Sequence, residues 1–479
     1  MKSKMIFCLT LSIISIMGCT DSNSSDRFTN KNTQGKVYNT LSNSLNDDLL
    51  APPAWAADAT LYEVNLRQYT EEGSFKSFLP HIPRLKDLGI DILWFMPIYP
   101  ISVKNRKGDL GSYYAVSDYT AVNEKEHGSL ADFKEVVKEI HRSEMKVILD
   151  FVPNHTGWDH AWISEHTEFY SKNKKGEITE PLDPTSGESK GWPDVADLDY
   201  KNMEMRKAMI AEMKWWLTEC DVDGFRMDIA YEVPNDFWDD CVKELMKTKK
   251  VFLLAEAEVA HLRNVSGFAA DYGWGLHHLM NDIAKGTKHA SDIITWFEGN
   301  TKKYNKGYHI HFTSNHDENS WAGTELERMG EGHKAFAILA ATLDGMPLIY
   351  SGQEEPLKKR LEFFKKDPIQ FKNYAYADFY RELLGLKKKN KALQNGADGG
   401  EPRFLNTNNK DVLAYSREKD GDVIFTIINL SSKRQAIEMS TIGLEGAYDN
   451  IFGSVTTSIA SDSRFNLKPW DYIVLDKVN

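Results

Sequence analysis

The stretch Val222-Asp223-Gly224-Phe225-Arg226-Met227-Asp228-Ile229-Ala230 constrains this chain more than any other. It reads as a short buried strand that delivers an arginine and an aspartate, two residues apart, to one edge of a sheet. Period-2 alternation puts Phe225 and Met227 on one face and Arg226 and Asp228 on the other. Standing alone, such a pair would be a buried salt bridge that fixes packing. Three more apolar runs end in the same way: Val147 to His155, Val251 to Glu256, and His311 to Asn319. In parallel α/β barrels the reactive side chains sit at the C-terminal ends of several strands, so four strands ending in polar constellations predict one shared pocket.

The rest of the chain supplies the alternation a barrel requires. Strands are predicted at Ala59–Tyr69, Ile90–Ile98, Lys146–Asn154, the central stretch, Val251–Glu256, Ala269–Trp274, Tyr308–His316 and Met346–Tyr350, which makes eight. Helical periodicity falls between them at Phe75–Leu88 (with Gly89 as C-cap), Ser129–Glu144, Asn202–Glu219, Pro234–Lys247, Ser291–Tyr304 and Gly332–Leu343, with a last helix at Ala377–Lys389. From His155 to about Asp194 the pattern lapses into a long insertion rich in Gly, Pro and Trp, and loops of that length in a barrel are functional or form a small subdomain. After 390, short strand-like runs at 412–417, 423–430 and 472–475 separated by turn residues predict an antiparallel β-sandwich. The reading is an α/β protein: a (β/α)8 barrel over 51–390 with an inserted domain at about 155–194, and a C-terminal sandwich over 391–479.

Taken together and in order, Gly111-Ser112-Tyr113-Tyr114, the run ending Asn154-His155, Val195 to Asp199, the central strand, the run ending Glu256, and His316-Asp317 resemble the signature regions of glycoside hydrolase family 13, the α-amylase family. The resemblance extends from about Leu61 to the C-terminus. It implies that Asp228 is a nucleophile, Glu256 a general acid/base and Asp317 a third carboxylate that binds sugar hydroxyls. It further implies that Tyr114 is a stacking platform at the cleavage point and that His155, His316 and Arg226 bind substrate or hold the carboxylates. The implied substrate is an α-1,4-glucan such as starch or a maltooligosaccharide, with cyclomaltodextrinase or neopullulanase-like, α-glucosidase and transglycosylase activities as rivals inside the family. A non-catalytic glucan-binding protein is the rival from another class, since fold does not fix function. The resemblance also implies a structural calcium held through Asn154 and Asp197, and no organic cofactor. The sequence departs from the family in carrying Tyr231-Glu232 where Lys-His is usual, which withdraws support from the calcium and alters a subsite.

Acetal hydrolysis needs a proton for the leaving oxygen and a nucleophile for the anomeric carbon, and a carboxyl pair supplies both. Arg226 beside Asp228 is expected to keep that carboxylate ionised, and Glu256 among other carboxylates is expected to retain its proton. Glu258, two residues on, shares the face of Glu256 in an extended chain and competes with it for the acid role.

Composition sets the surroundings. A formal charge of -12, or -14 once Lys2 and Lys4 are removed with a leader, gives no electrostatic reason to bind nucleic acid or anionic lipid. Residues 1–18 carry two lysines and then an apolar run too short to span a bilayer, as in a secretory signal peptide. Cys19 follows at a position resembling a bacterial lipobox, so export and lipidation at Cys19 are expected, with 19–50 as a Ser- and Asn-rich tether holding the enzyme off the membrane. Such a protein is a membrane-anchored lipoprotein on the periplasmic or cell-surface side. Cys220 and Cys241 are expected to be buried thiols.

Overall fold

Eight short apolar runs close on themselves because each is flanked by helices that cover its outer face. The computed structural model describes residues 47–183, 185–453 and 455–478, so residues 1–46, and with them the leader, Cys19 and most of the tether, lie outside the described residues. The barrel strands are β1 (Leu61–Val64), β2 (Ile92–Phe95), β3 (Lys146–Phe151), β6 (Gly224–Met227), β7 (Phe252–Ala255), β8 (Ala270–Tyr272), β9 (Tyr308–His311) and β10 (Met346–Tyr350). All pairs are parallel, and β10 closes on β1 with Leu61 opposite Leu348. The inserted domain opens and closes on an antiparallel hairpin, β4 (His155–Gly157) with β5 (Val195–Asp197).

Alternation sorts the side chains as the sequence pattern requires. Leu61, Ile92, Trp94, Ile148, Phe252, Leu254, Tyr272, Ile310 and Leu348 fill the barrel interior. Their neighbours Tyr62, Leu93, Phe95, Leu149, Phe225, Met227 and Leu253 face outward into the core shared with the helices. Helix starts are set by their caps: Ser129 accepts from the Asp132 amide and Asn202 from those of Glu204 and Met205. Gly89 closes its helix at φ 97°, a conformation that favours glycine.

Several elements differ from the sequence expectation. The first strand stops at Val64, and Leu66–Tyr69 is a helical turn whose polar side chains are drawn into neighbouring loops, Arg67 to Glu126 and Gln68 to the Glu362 carbonyl. The helix expected over 75–88 is broken by a 3-10 turn at Leu79–His81, where Pro80 removes a donor. Trp274, expected to end a strand, instead begins a helix, Trp274–Ala284, that the sequence reading did not foresee. Asp47–Leu50 is a short helix, and the Leu50 side chain enters the main core, so the C-terminal end of the stretch read as tether is packed against the barrel. Cys220 and Cys241 are buried free thiols.

The C-terminal domain is an unequal sandwich. Its main sheet is antiparallel and joins β11 (Arg403–Phe404), β12 (Val412–Lys419), β13 (Asp422–Asn429), β18 (Tyr472–Lys477), β15 (Gly446–Asn450) and β16 (Thr456–Ile459). A ribbon of β14 (Gln435–Ser440) and β17 (Asp462–Leu467) covers one face through Ile437, Met439 and Phe465. The other face, through Leu413, Tyr415 and Ile424, packs on the barrel helices. Arg417 fastens that seam by donating to the Leu343 carbonyl at 3.1 Å.

Candidate active site

The central strand carries Arg226 into the barrel interior, where its guanidinium has no exposure to solvent. Trp94 and Tyr272 lie against it, with ring centroids 5.2 and 5.7 Å away. A buried cation needs anions, and three converge on it. Nη1 meets Asp150 Oδ1 at 2.9 Å and Asp228 Oδ1 at 3.0 Å, and Nη2 meets Glu256 Oε2 at 2.9 Å. Register explains the first pair, because Asp150 on β3 is the direct partner of Arg226 on β6. Asp228 and Glu256 come from the residues just past β6 and β7, whose amides continue the ladder to the carbonyls of Phe151 and Met227.

Ile229 follows Asp228 directly and links it to Glu256. Its backbone is left-handed, at φ 37° and ψ 47°, a strained conformation for a β-branched residue. That conformation aims its amide at Glu256 Oε2, which accepts at 2.7 Å.

The sequence expectation for proton placement is corrected here. Arg226 does not serve Asp228 alone; one positive charge is divided among three carboxylates. Burial, with Glu256 alongside, pushes the Asp228 carboxyl well above the ordinary carboxylate range. Burial likewise raises Asp150 to about 7. Asp150 and Asp228 therefore hold protons more readily than ordinary carboxyls, because both are buried around one shared guanidinium.

Glu258 is excluded from this cluster. β7 ends at Ala255, the chain bends, and alternation no longer holds, so Glu258 turns away to accept the Gly275 amide at 2.9 Å. Its charged neighbours are His309 and Asp271, and burial raises its carboxyl.

The mouth of the site is built by the loops after β2 and β9. His316 Nδ1 lies 2.5 Å from Glu63 Oε1, and its Nε2 lies 2.8 Å from the Tyr114 hydroxyl and 3.5 Å from Asp317 Oδ2. Although burial opposes the charge, Asp317 and Glu63 raise His316 to about 9. We assign the shared proton to His316, since two carboxylates hold it there, whereas Glu63 is raised chiefly by burial, with Asp317 adding to it. The Tyr114 hydroxyl also reaches Asp150 Oδ2 at 3.2 Å, and its ring stacks on His316. The Asp317 side chain is 39 % exposed, against 9 % for Asp228 and 5 % for Glu256, so exposure falls from Asp317 to the carboxyl pair.

His155 sits on the insertion side, buried and lowered to about 3, hence neutral. Its Nδ1 lies 3.3 Å from Asn154 Nδ2, and its ring is 6.1 Å from Trp192. Asn154 and Asp197 flank the β4–β5 hairpin, in which Asp197 is paired with His155. Amide and carboxylate oxygens suit calcium in kind, yet among the described residues no three acidic, histidine or cysteine side chains gather as a metal site. The insertion is tied to the loop after β6 by Lys190 and Glu232 at 2.5 Å, the glutamate standing where the family has His.

Two residues of the site were not singled out from sequence, Asp150 and Glu63. Each is a lone acid in an apolar strand at an inward position, Asp150 two residues after Ile148 and Glu63 two after Leu61; that alternation was the available signal.

Residues 25–395 match the family model for the α-amylase catalytic domain, and residues 403–474 that for the maltogenic amylase C-terminal domain. This chain belongs to the α-amylase family of glycoside hydrolases. It is 25 % identical over 410 residues to an α-amylase of Haloarcula japonica, covering 83 % of this chain and 58 % of that enzyme's length. It is 24 % identical to a cyclomaltodextrinase of Thermoanaerobacter pseudethanolicus, covering 84 % of this chain and 75 % of that one. The crystal structure of a maltogenic α-amylase from Thermotoga neapolitana superposes with a TM-score of 0.78 at 26 % identity, covering 88 % of this chain and 99 % of that one.

Proposed function

We propose that this α-amylase family member is a retaining hydrolase of α-1,4-glucosidic bonds in starch or maltooligosaccharides. The observation that carries the proposal is the sharing of one guanidinium: Arg226 presents Asp228 and Glu256 from its two terminal nitrogens at the deep end of a crevice. In the first step Asp228 attacks the anomeric carbon as the glycosidic C–O bond breaks, and Glu256 gives its proton to the leaving oxygen. In the second, Glu256 takes a proton from water, which displaces Asp228 and restores the original configuration. Retention calls for carboxyls roughly 5–5.5 Å apart, a spacing a shared guanidinium can maintain.

Tyr114 offers its ring to the sugar at the cleavage point. Charged His316 donates to sugar hydroxyls, neutral His155 donates or accepts, and Asp317 accepts from the same ring. Relatives named as maltogenic amylase and cyclomaltodextrinase support short or cyclic maltodextrins beside starch as substrates. A reducing-sugar assay on soluble starch, maltotriose, cyclodextrin and pullulan tests the substrate class, with release from at least one expected. Trapping with a fluorinated glucosyl substrate and peptide mass mapping tests the chemistry: the label is expected on Asp228, and a label on another residue would overturn the assignment.

Calcium binding through Asn154 and Asp197 is part of the same proposal. Its test is thermal: added calcium raises Tm and a chelator lowers it, whereas a flat response leaves the Lys190–Glu232 pair as the tie between insertion and barrel. Export and anchoring at Cys19 are proposed from the leader alone, and loss of membrane association in Cys19→Ala is the expected outcome.

A further inference from the structure

We infer that Trp321 is an outlying sugar platform, a second stacking site that lengthens the crevice beyond Tyr114 and favours longer α-glucan chains; this rests on the hydrolase reading above. Trp321 lies four residues past Asp317 in a π-helical turn, Glu318–Ala322, and is 52 % exposed. The exposed part of the indole leaves apolar surface that a sugar ring can cover.

The ring is continuous with the site. Phe363 stacks nearly parallel on Tyr114, with centroids 6.3 Å apart at 16°, and Trp321 follows 5.3 Å from Phe363. Phe364 also lies against the indole, with centroids 6.0 Å apart. An aromatic path thus runs from the cleavage point to the surface, and the apolar faces of glucose rings stack on such surfaces.

The turn is also held firmly. Asn319 Oδ1 accepts the Leu361 amide at 2.9 Å, Ser320 Oγ donates to the Leu361 carbonyl at 2.9 Å, and the Leu110 amide donates to the Phe364 carbonyl at 3.0 Å. Three loops of the barrel mouth therefore fix the platform before any sugar arrives, which limits the ordering cost of binding. None of these groups touches the reacting carboxyls, so Trp321 acts on chain-length preference and leaves the chemistry alone.

The test measures affinity for maltose and for maltoheptaose by calorimetry in Glu256→Gln protein, with and without Trp321→Ala. Maltoheptaose affinity is expected to fall about tenfold, equivalent to about 1.4 kcal/mol, with maltose affinity unchanged and most of the loss recovered in Trp321→Phe. No loss for either sugar, or an equal loss for both, overturns the platform. Hydrolysis by Trp321→Ala alone is expected to show a raised KM for maltoheptaose at unchanged kcat. If the unsubstituted enzyme hydrolyses no α-glucan while the length-dependent loss persists, the hydrolase reading fails and the platform stands.

Discussion

Two charged clusters lie on opposite sides of the barrel wall, and a single residue, Ala257, separates their glutamates. Inside, Glu256 joins Asp150, Asp228 and Arg226 beneath an open mouth. Outside, Glu258 neighbours Asp271, which pairs with Arg263 at 3.0 Å and with His309 at 2.7 Å, beneath the helices Trp274–Ala284 and Ala290–Thr301. Both contain buried acids around an arginine, and both involve histidine nearby. What differs is the balance and the access. Outside, Asp271 is held by Arg263 and His309 and is fully buried, whereas inside one arginine faces three carboxyls and Asp317 beside them is 39 % exposed. Charge alone does not mark a catalytic site; surplus negative charge that a substrate can reach does.

The largest effect is expected from Asp228→Asn, with kcat falling on the order of 10^4-fold or more as the nucleophile is lost. Its Tm is expected not to fall, because the substitution removes a carboxylate that burial and Glu256 make costly; a large drop in Tm would make the inner cluster structural like the outer one. Next come Arg226→Met and Asp271→Asn, one from each cluster. Each breaks a buried pair and is expected to cost about 3–5 kcal/mol in denaturant unfolding, yet only Arg226→Met should abolish activity. Equal loss of activity in both would erase the distinction between the clusters.

A smaller effect concerns pH. His316 is raised to about 9, so the folded state favours its proton. The resulting stabilisation is full below the unfolded histidine value of about 6.5, is lost as pH rises to about 9, and amounts to about 3 kcal/mol. Tm measured from pH 6 to pH 10 should decline across that window, and His316→Gln should flatten the decline.

The barrel was legible because its strands and helices carry different hydrophobic periods, and the carboxylates because they follow strands at register-bound positions. Alternation put Arg226 and Asp228 on one face, but the choice of Glu256 over Glu258 came from the family resemblance. Glu258 defeated the same rule, since no local signal in Ala255-Glu256-Ala257-Glu258 reveals where the chain stops being extended. Asp150 was passed over because its neighbours make it resemble an ordinary strand residue, and only its pairing with Arg226 across β3 and β6 discloses its part. The strained Ile229 was hidden for another reason: nothing in a β-branched residue announces a positive φ, which the surrounding structure imposes. The helix Trp274–Ala284 was missed because its aromatic start reads as the tail of a buried strand. Proton placement was misjudged because sequence shows that an arginine is near, but not how many carboxylates divide it.

The most direct measurement is kcat for Glu256→Gln and Glu258→Gln, side by side, on a maltooligosaccharide the enzyme cleaves. Glu256→Gln is expected to lose about 10^2–10^4-fold while Glu258→Gln turns over normally. An inactive Glu258→Gln beside an active Glu256→Gln would contradict the account.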